Sequence, residues 1–548
     1  MSPAECAARH LDLVQAPFTL PSSRLLVFRA DVDEGRDAAA PAPARALRVH
    51  TAEYEKPLRD CRVIDLLEVY DPDGRPSPVL EVRPDRIRFA GGATLTFAGA
   101  EALSVSAPLG GSLAWTLPDG TRHRVAHDVR LDVGTGRRVT VAPQTNHDEA
   151  LAGSAAVWAA WFARCPRVRD DLQEMTAFCW WVLGANIVTL PRLGDARAVV
   201  PSKIGYVGLW QWDAYFIAAG LRHGDPDLAR EQLELALRFP TPEGQLPDVV
   251  HEEGTLASSD DLPAADRAHL RRDGSAIADP DAPIPLTKPP LTTWAVLKLL
   301  EVAPNDTWAR EVLPVIERSQ DWWFAHSDAD GDGMPEYAHP YSSGLDDSPI
   351  FDGRLPIASP DLGAYLVRQD LDLAELCERL DTGDAASHRR RARDTMQLLL
   401  RMWNPDLHAF MADGRATDAV VGLIPLLTGM LDAEIASALV AALDDPRRFA
   451  TRWAVPTVAA GDEDYDPQRM WRGPVWVNTN VLVAEGLERS GHPKHARRLR
   501  ERTLQLVIRA GGPHEYFTPD TGRKARTATT AFGWSAALFV DLAVRLSE

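Results

Sequence analysis

The stretch GPVWVNTNVLVAEGLERSGHPKHARRLRERTLQLVIRAGG, Gly473 to Gly512, holds two helical patterns of opposite character. The first, near 474–490, is apolar around most of its circumference and begins at a Gly-Pro step that puts proline in the first turn. The second, near 493–510, carries a single apolar stripe between basic positions. A helix apolar nearly all round must be buried on most sides, whereas a striped one covers a core with one face. The same alternation runs through the rest of the second part of the chain. Amphipathic helices are expected near 167–184, 225–238, 306–325, 384–403, 432–444 and 493–510, and more apolar ones near 209–221, 289–302, 359–379, 417–428, 474–490 and 529–546. Asp225-Pro226 and Ser359-Pro360 repeat the start signal. An inner ring of apolar helices inside an outer ring of amphipathic ones is a helical toroid. About six of each kind predicts an (α/α)6 barrel over 146–548.

Residues 1–145 read differently. Alternation appears in Ile87-Arg88-Phe89, Leu95-Thr96-Phe97 and Val139-Thr140-Val141. Turn signals recur every 8–12 residues or so, at Asp73-Gly74, Gly91-Gly92, Gly110-Gly111, Asp119-Gly120 and Gly134-Thr135-Gly136. This rhythm predicts a β-sandwich-like domain, with the Ala/Pro stretch from Ala38 to Ala46 as a loose loop inside it. The expected whole is a mainly α protein with an N-terminal β domain.

The chain has 548 residues, enough for two or more domains. Against 59 Lys and Arg stand 78 Asp and Glu, a formal charge of −19 that disfavours nucleic acid or an anionic membrane as partner. No apolar run is long enough to span a bilayer, and MSPAECAARHLDLVQ lacks the basic start and apolar core of a secretory leader. Cys6, Cys61, Cys165, Cys179 and Cys377 are scattered without CxxC spacing, which predicts free thiols in a reducing cytoplasm. A homo-oligomer is compatible with all of this.

Function is expected in the loops that enter the apolar helices. All inner helices of such a toroid run the same way, so those loops gather at one end. WQWD (Trp210 to Asp213), TKPP (Thr287 to Pro290), HPYSSGLDDSPIFDG (His339 to Gly353), MWRGPVW (Met470 to Trp476) and HEYFTPDTG (His514 to Gly522) each hold this position. Asp, Ser, Gly and Pro are also ordinary turn formers, but here the acids are ringed by tryptophans. Glycoside hydrolysis needs two carboxyl groups, one to protonate the leaving oxygen and one to activate water or attack carbon. Asp346 and Glu515 are the expected pair, with Asp347 and, less directly, Asp213 as substitutes for the first; Asp352 and Asp520 read as loop-fixing acids. Trp210, Trp212, Trp471 and Trp476 are expected to stack on a sugar ring, with Asp213 and Arg472 bonding its hydroxyls. Lys288, Tyr341 and Tyr516 complete the candidate substrate-binding set. Trp180-Trp181 and Trp322-Trp323 lie within helices and read as packing residues.

DADGDGMPEY, Asp328 to Tyr337, approaches a calcium loop through Asp328, Asp330, Asp332 and Gly333, but position twelve is His339 and the acid comes early, at Glu336. A tight Asp/Gly turn is the expectation, with no metal and no cofactor. Nucleotide-loop, zinc-protease and serine-hydrolase motifs are absent.

WQWDAYF, TKPPLTTWAV, SGLDDSP, MWRGPVWVN, HEYFTPDTG and the following FGWSAA resemble the catalytic domain of glycoside hydrolase family 63 over roughly 165–548. That family includes processing α-glucosidase I, bacterial α-glucosidases and the mannosylglycerate and glucosylglycerate hydrolases. The resemblance implies an inverting enzyme with Asp346 as general acid and Glu515 as general base. It also implies that Trp210, Trp212, Asp213, Trp471 and Trp476 bind the released sugar. The chain departs from the glycerate-specific members at Tyr341-Ser342-Ser343-Gly344, where they tend to carry WESG, and at Met470, where they have Tyr. The expected activity is cleavage of an α-glucoside or glycosylglycerate-type small substrate. The alternatives are another (α/α)6 glycosidase, such as a trehalase or α-L-rhamnosidase, and a non-catalytic carbohydrate-binding protein.

Overall fold

The computed structural model describes residues 1–30, 44–54, 56–134, 137–143, 146–262, 283–353 and 355–547. Two antiparallel sheets occupy the N-terminal part. One runs in the order Leu25–Arg29, Leu47–Thr51, Arg62–Tyr70, Ser112–Thr116, Arg122–Val125, and the other Val139–Pro143, Val129–Val133, Ala102–Val105, Thr94–Gly99, Arg86–Phe89, Val79–Arg83. Apolar side chains of both, such as Phe28, Leu67 and Trp115 from the first and Phe89, Phe97 and Leu131 from the second, join one core. The Gly110-Gly111 turn shows why glycine is needed there: a Cβ on Gly111 would lie 2.2 Å from the Tyr70 carbonyl oxygen. The expected loose loop lies outside the described residues from Ala38 to Pro43, as do Thr135 and Gly136 of the last turn signal.

Two helices went unforeseen. Pro3–Ala8 is closed by a capping box between Ser2 and Glu5, and His147–Phe162 packs on the strand Thr94–Gly99.

In the second part, helix Gln211–Leu221 packs on Thr292–Val302, which packs on Pro360–Leu380. That helix packs on the turn Ile424–Thr428, then follow Val477–Arg489 and Gly533–Arg545, and the last returns to Gln211–Leu221. The ring therefore closes on itself. Pro226–Ala236, Asp306–His326, Ala385–Leu400 and Pro493–Ala510 lie against it from outside, striped as expected, and Asp170–Ala185 packs on the last inner helix. One inner element differs from expectation. The segment 417–428 forms two short 3-10 turns, Val420–Gly422 and Ile424–Thr428, not a continuous helix. Pro425 removes a backbone donor, and Gly422 lies so near the Phe410 carbonyl oxygen that a Cβ would approach to 2.6 Å.

The far end of the ring is charged. Lys298 pairs with Glu485 at 2.7 Å between opposite inner helices, and Glu485 also accepts from Trp294 Nε1 at 2.8 Å. Arg222 and His223 pair with buried Asp541 at 2.9 and 2.8 Å. These partners hold the Asp541 carboxyl well below the ordinary range despite its burial. Trp180, Trp181, Trp322 and Trp323 are buried in the core. Among the described residues no helix is long and apolar enough to cross a membrane.

Candidate active site

The other end of the ring carries an open cleft lined by residues of the entering loops: Trp210, Trp212, Asp213, Lys288, Asp346, Trp471, Trp476 and Glu515 among them. Its wall is aromatic. Trp471 and Trp476 stack at 3.7 Å with planes 4° apart, and Trp212 and Trp476 both meet Trp534 edge-on, at 5.5 and 5.4 Å. Trp476 Nε1 donates to the Met470 carbonyl at 2.8 Å, which fixes the loop that carries both rings.

Each loop is fixed by its neighbours. Gly344 turns with φ +70° directly over Trp212; a Cβ there would fall 2.1 Å from Cζ2 of the indole, so only glycine lets the Asp346 loop cross that ring. Gln211, first residue of its helix, accepts from the Lys288 amide at 3.1 Å and from Thr287 Oγ1 at 3.4 Å, tying WQWD to TKPP. Val475 and Phe517 exchange backbone hydrogen bonds of 2.8 and 2.9 Å, which joins the Trp471 and Glu515 loops. Asp347 accepts from Arg469 Nε at 3.0 Å and from the Trp471 amide at 2.8 Å, so its two oxygens hold loops together. The adjacent Asp346 differs. Its Oδ1 is buried with no hydrogen-bond partner among the described residues, and it lines the pocket.

The two acids have unlike surroundings. Glu515 is buried, with Tyr206 Oη donating to Oε1 at 2.9 Å and the Thr529 amide to Oε2 at 2.8 Å. Burial raises its carboxyl to about 7, against the lowering by those donors and with a further push from Asp346. The Asp346 carboxyl is also raised by burial, opposed by the Lys288 ammonium and aided by Asp347. Asp213 is raised well above its ordinary value by burial, again opposed by Lys288. Lys288 itself lies buried between Asp248 Oδ1 at 3.0 Å and the Tyr341 carbonyl, to which it donates at 2.6 Å; Asp248 was not singled out in the sequence. Carboxyls raised by burial, beside a buried cation and an aromatic wall, are equipped for proton transfer.

Three expected binding residues are not among the side chains lining the pocket. Arg472 pairs with Asp352 (2.6 Å from Nη1), Tyr516 bonds Thr527 Oγ1 at 2.8 Å while its ring covers Trp476, and Tyr341 turns its ring onto His339 at 4.6 Å. The Arg472 guanidinium and the Tyr516 hydroxyl are thus engaged with Asp352 and Thr527, and the Tyr341 ring with His339. Conversely, Tyr206, Met470, Phe532 and Trp534 line the pocket without having been named as binding residues. Trp534 had a signal, in FGWSAA; Tyr206 had none within its own neighbourhood of sequence.

Asp328, Asp330 and Asp332 present carboxylate oxygens within 4.8 Å of one another and could hold a cation. In the structure they accept from backbone amides of their own loop, Asp328 from Gly331 at 2.9 Å and Gly333 at 3.0 Å, which is the expected tight turn.

A model of the mannosylglycerate hydrolase MGH1-like glycoside hydrolase domain matches residues 206–535, more than half of the chain. Mannosylglycerate hydrolase MGH1 of Selaginella moellendorffii is 26% identical over 416 residues, which are 62% of this chain and 80% of that protein. The crystal structure of the GH63 mannosylglycerate hydrolase from Thermus thermophilus in complex with Tris superposes with a TM-score of 0.52 at 25% identity, covering 61% of this chain and 93% of that one. A bacterial glucoamylase complexed with acarbose shares the fold over 96% of this chain and 93% of its own, with a TM-score of 0.53 at 11% identity.

Proposed function

The chain belongs to the MGH1-like mannosylglycerate hydrolase family of glycoside hydrolases, and from that premise we propose that it cleaves a small α-glycoside with inversion of configuration. The observation that carries this reading is the contrast between the two pocket acids: Glu515 held by Tyr206 and Thr529, Asp346 with an unpartnered oxygen. Asp346, protonated, gives its proton to the glycosidic oxygen as the bond to the anomeric carbon breaks. Glu515, ionised, takes a proton from the water that attacks that carbon from the opposite face. Trp212, Trp471 and Trp476 hold the ring, Trp210 closes the mouth, and Asp213 with Lys288 bonds its hydroxyls. No covalent intermediate forms, so the first-released sugar has the opposite anomeric configuration.

A glycosylglycerate-type substrate or a short α-glucoside is the class we favour, on the family. Tyr341-Ser342-Ser343-Gly344 and Met470 lie where the glycerate-specific pattern differs, and they turn the choice toward the α-glucoside. The inner ring of six elements supports an (α/α)6 barrel over 146–548 preceded by a β-sandwich-like domain over 1–145. Five free cysteines are in keeping with a reducing cytoplasm.

The test is hydrolysis of a panel containing mannosylglycerate, glucosylglycerate and α-linked glucose disaccharides, followed by proton NMR from the first minutes. β-Glucose should appear first from a cleaved α-glucoside. Early α-glucose would overturn inversion. Glu515→Gln should reduce turnover by at least a hundredfold while leaving the melting temperature within a few degrees, and an active variant would remove Glu515 from the role of base.

A further inference from the structure

The mannosylglycerate hydrolases cover little more than three fifths of this chain, and the matched domain begins at Tyr206, after both N-terminal sheets. Those sheets nonetheless reach the pocket. Tyr54, just beyond the strand Leu47–Thr51, stacks its ring on His251 at 4.1 Å and 9°, and its centroid lies 6.1 Å from that of Trp210 at 46°. Tyr54, Trp210 and Tyr341 pack together on a small separate core of Val249, Leu256, Leu262 and Leu286 beside the pocket. Gly208 makes the room: a Cβ there would come 3.1 Å from the Tyr54 ring and 2.7 Å from Val249 Cγ1. Arg24 clamps the same junction, donating to the Ala52 carbonyl at 3.1 Å and pairing with Glu252 at 3.0 Å.

Trp210 is the pocket tryptophan in need of such support. Trp212, Trp471, Trp476 and Trp534 are buried against one another, whereas Trp210 is only partly buried and also meets Tyr206 edge-on, centroids 5.6 Å apart. An indole on a rim adopts several rotamers unless neighbouring rings restrict it, and each restricted side chain lowers the entropy lost when ligand binds.

We propose that Tyr54 is a positioning residue of the substrate pocket: through Trp210, the N-terminal sheet region sets how tightly the sugar is held. This rests on the reading of Trp210 as a sugar-binding side chain. Because the support acts equally on ground and transition states, its loss changes KM and not kcat.

The experiment compares full-length Tyr54→Ala, Tyr54→Leu, Tyr54→Phe and Trp210→Ala. Kinetics use glucosylglycerate and maltose, and the affinity for glucose is read from tryptophan fluorescence. Tyr54→Ala and Tyr54→Leu should raise KM and the glucose Kd about 2- to 10-fold, the range of one aromatic pair, with kcat unchanged. Tyr54→Phe, which keeps the ring contacts with His251 and Trp210, should raise KM and Kd less than either of those variants. If Trp210→Ala weakens binding while neither Tyr54→Ala nor Tyr54→Leu does, the inference falls and the pocket assignment stands. If Trp210→Ala also leaves binding unchanged, the pocket assignment falls and takes the inference with it. A drop in kcat and melting temperature at constant KM in both Tyr54 variants would make the residue merely structural and likewise overturn the inference.

Discussion

Glu515 has one donor on each oxygen, Tyr206 Oη and the Thr529 amide, and both favour its ionised form. Removing one should raise a carboxyl that already titrates at about 7. Tyr206→Phe is therefore expected to move the acidic limb of the kcat/KM profile to higher pH by about one unit, the worth of a hydrogen bond to a charged group. The sign follows from the role: the base must be ionised, so the variant loses most at pH 6–7 and recovers above 8. A limb that stays in place in the variant assigns it to another group. At this scale the sequence was only partly legible. The acids and tryptophans announced themselves because charge and large rings cluster in the loops entering inner helices. Tyr206 did not, because what matters about it is a contact with a residue 309 positions away. Asp346 and Asp347 could not be separated by composition either; the two donors that occupy Asp347 distinguish them.

Among the elements, inner helices Thr292–Val302 and Val477–Arg489 are joined across the ring by Lys298 and Glu485. Lys298 and Trp294 outweigh burial and bring the Glu485 carboxyl down to about 2, from an ordinary 4.5. A lowered folded-state value means stability that is present above pH 4.5 and lost as the pH falls toward 2, amounting to about 3 kcal/mol. Lys298→Met should cost about 3–5 kcal/mol at pH 7, because it leaves a buried carboxylate without its cation. The paired variant Lys298→Met with Glu485→Leu should recover most of that loss. Urea denaturation at pH 7 and pH 3 measures both, and a Lys298→Met loss below 1 kcal/mol would show that the pair is not what joins these helices. Element type was legible where periodicity ran long, as in Pro493–Ala510, whose bounds match the expectation. It failed at 417–428, where apolar content suggested a helix but Gly422 and Pro425 allow only short turns. It also failed at His147–Phe162, an Ala-rich helix overshadowed by the strand signals before it.

At the scale of the whole molecule, a single buried cluster runs from Ala7 through both sheets and around the ring to Ala543. Shared burial of this kind couples the two parts energetically, so calorimetry should give one unfolding transition. Two resolved transitions would show that the sheets and the ring unfold independently. The closure of the ring has a consequence for how the protein is made. Helix Gln211–Leu221 is covered by Gly533–Arg545, Asn186 donates to the Ala531 carbonyl at 2.9 Å, and Ser202 donates to the Thr530 carbonyl at 3.1 Å. The surfaces emerging first from the ribosome thus wait for partners among those translated last. At synthesis rates of about 5–20 residues per second, an apolar inner face stays open for on the order of 15–60 s before its cover arrives. A nascent chain stalled before Gly533 would carry that face uncovered, which makes the unfinished polypeptide, and not the finished enzyme, the form most in need of a chaperone.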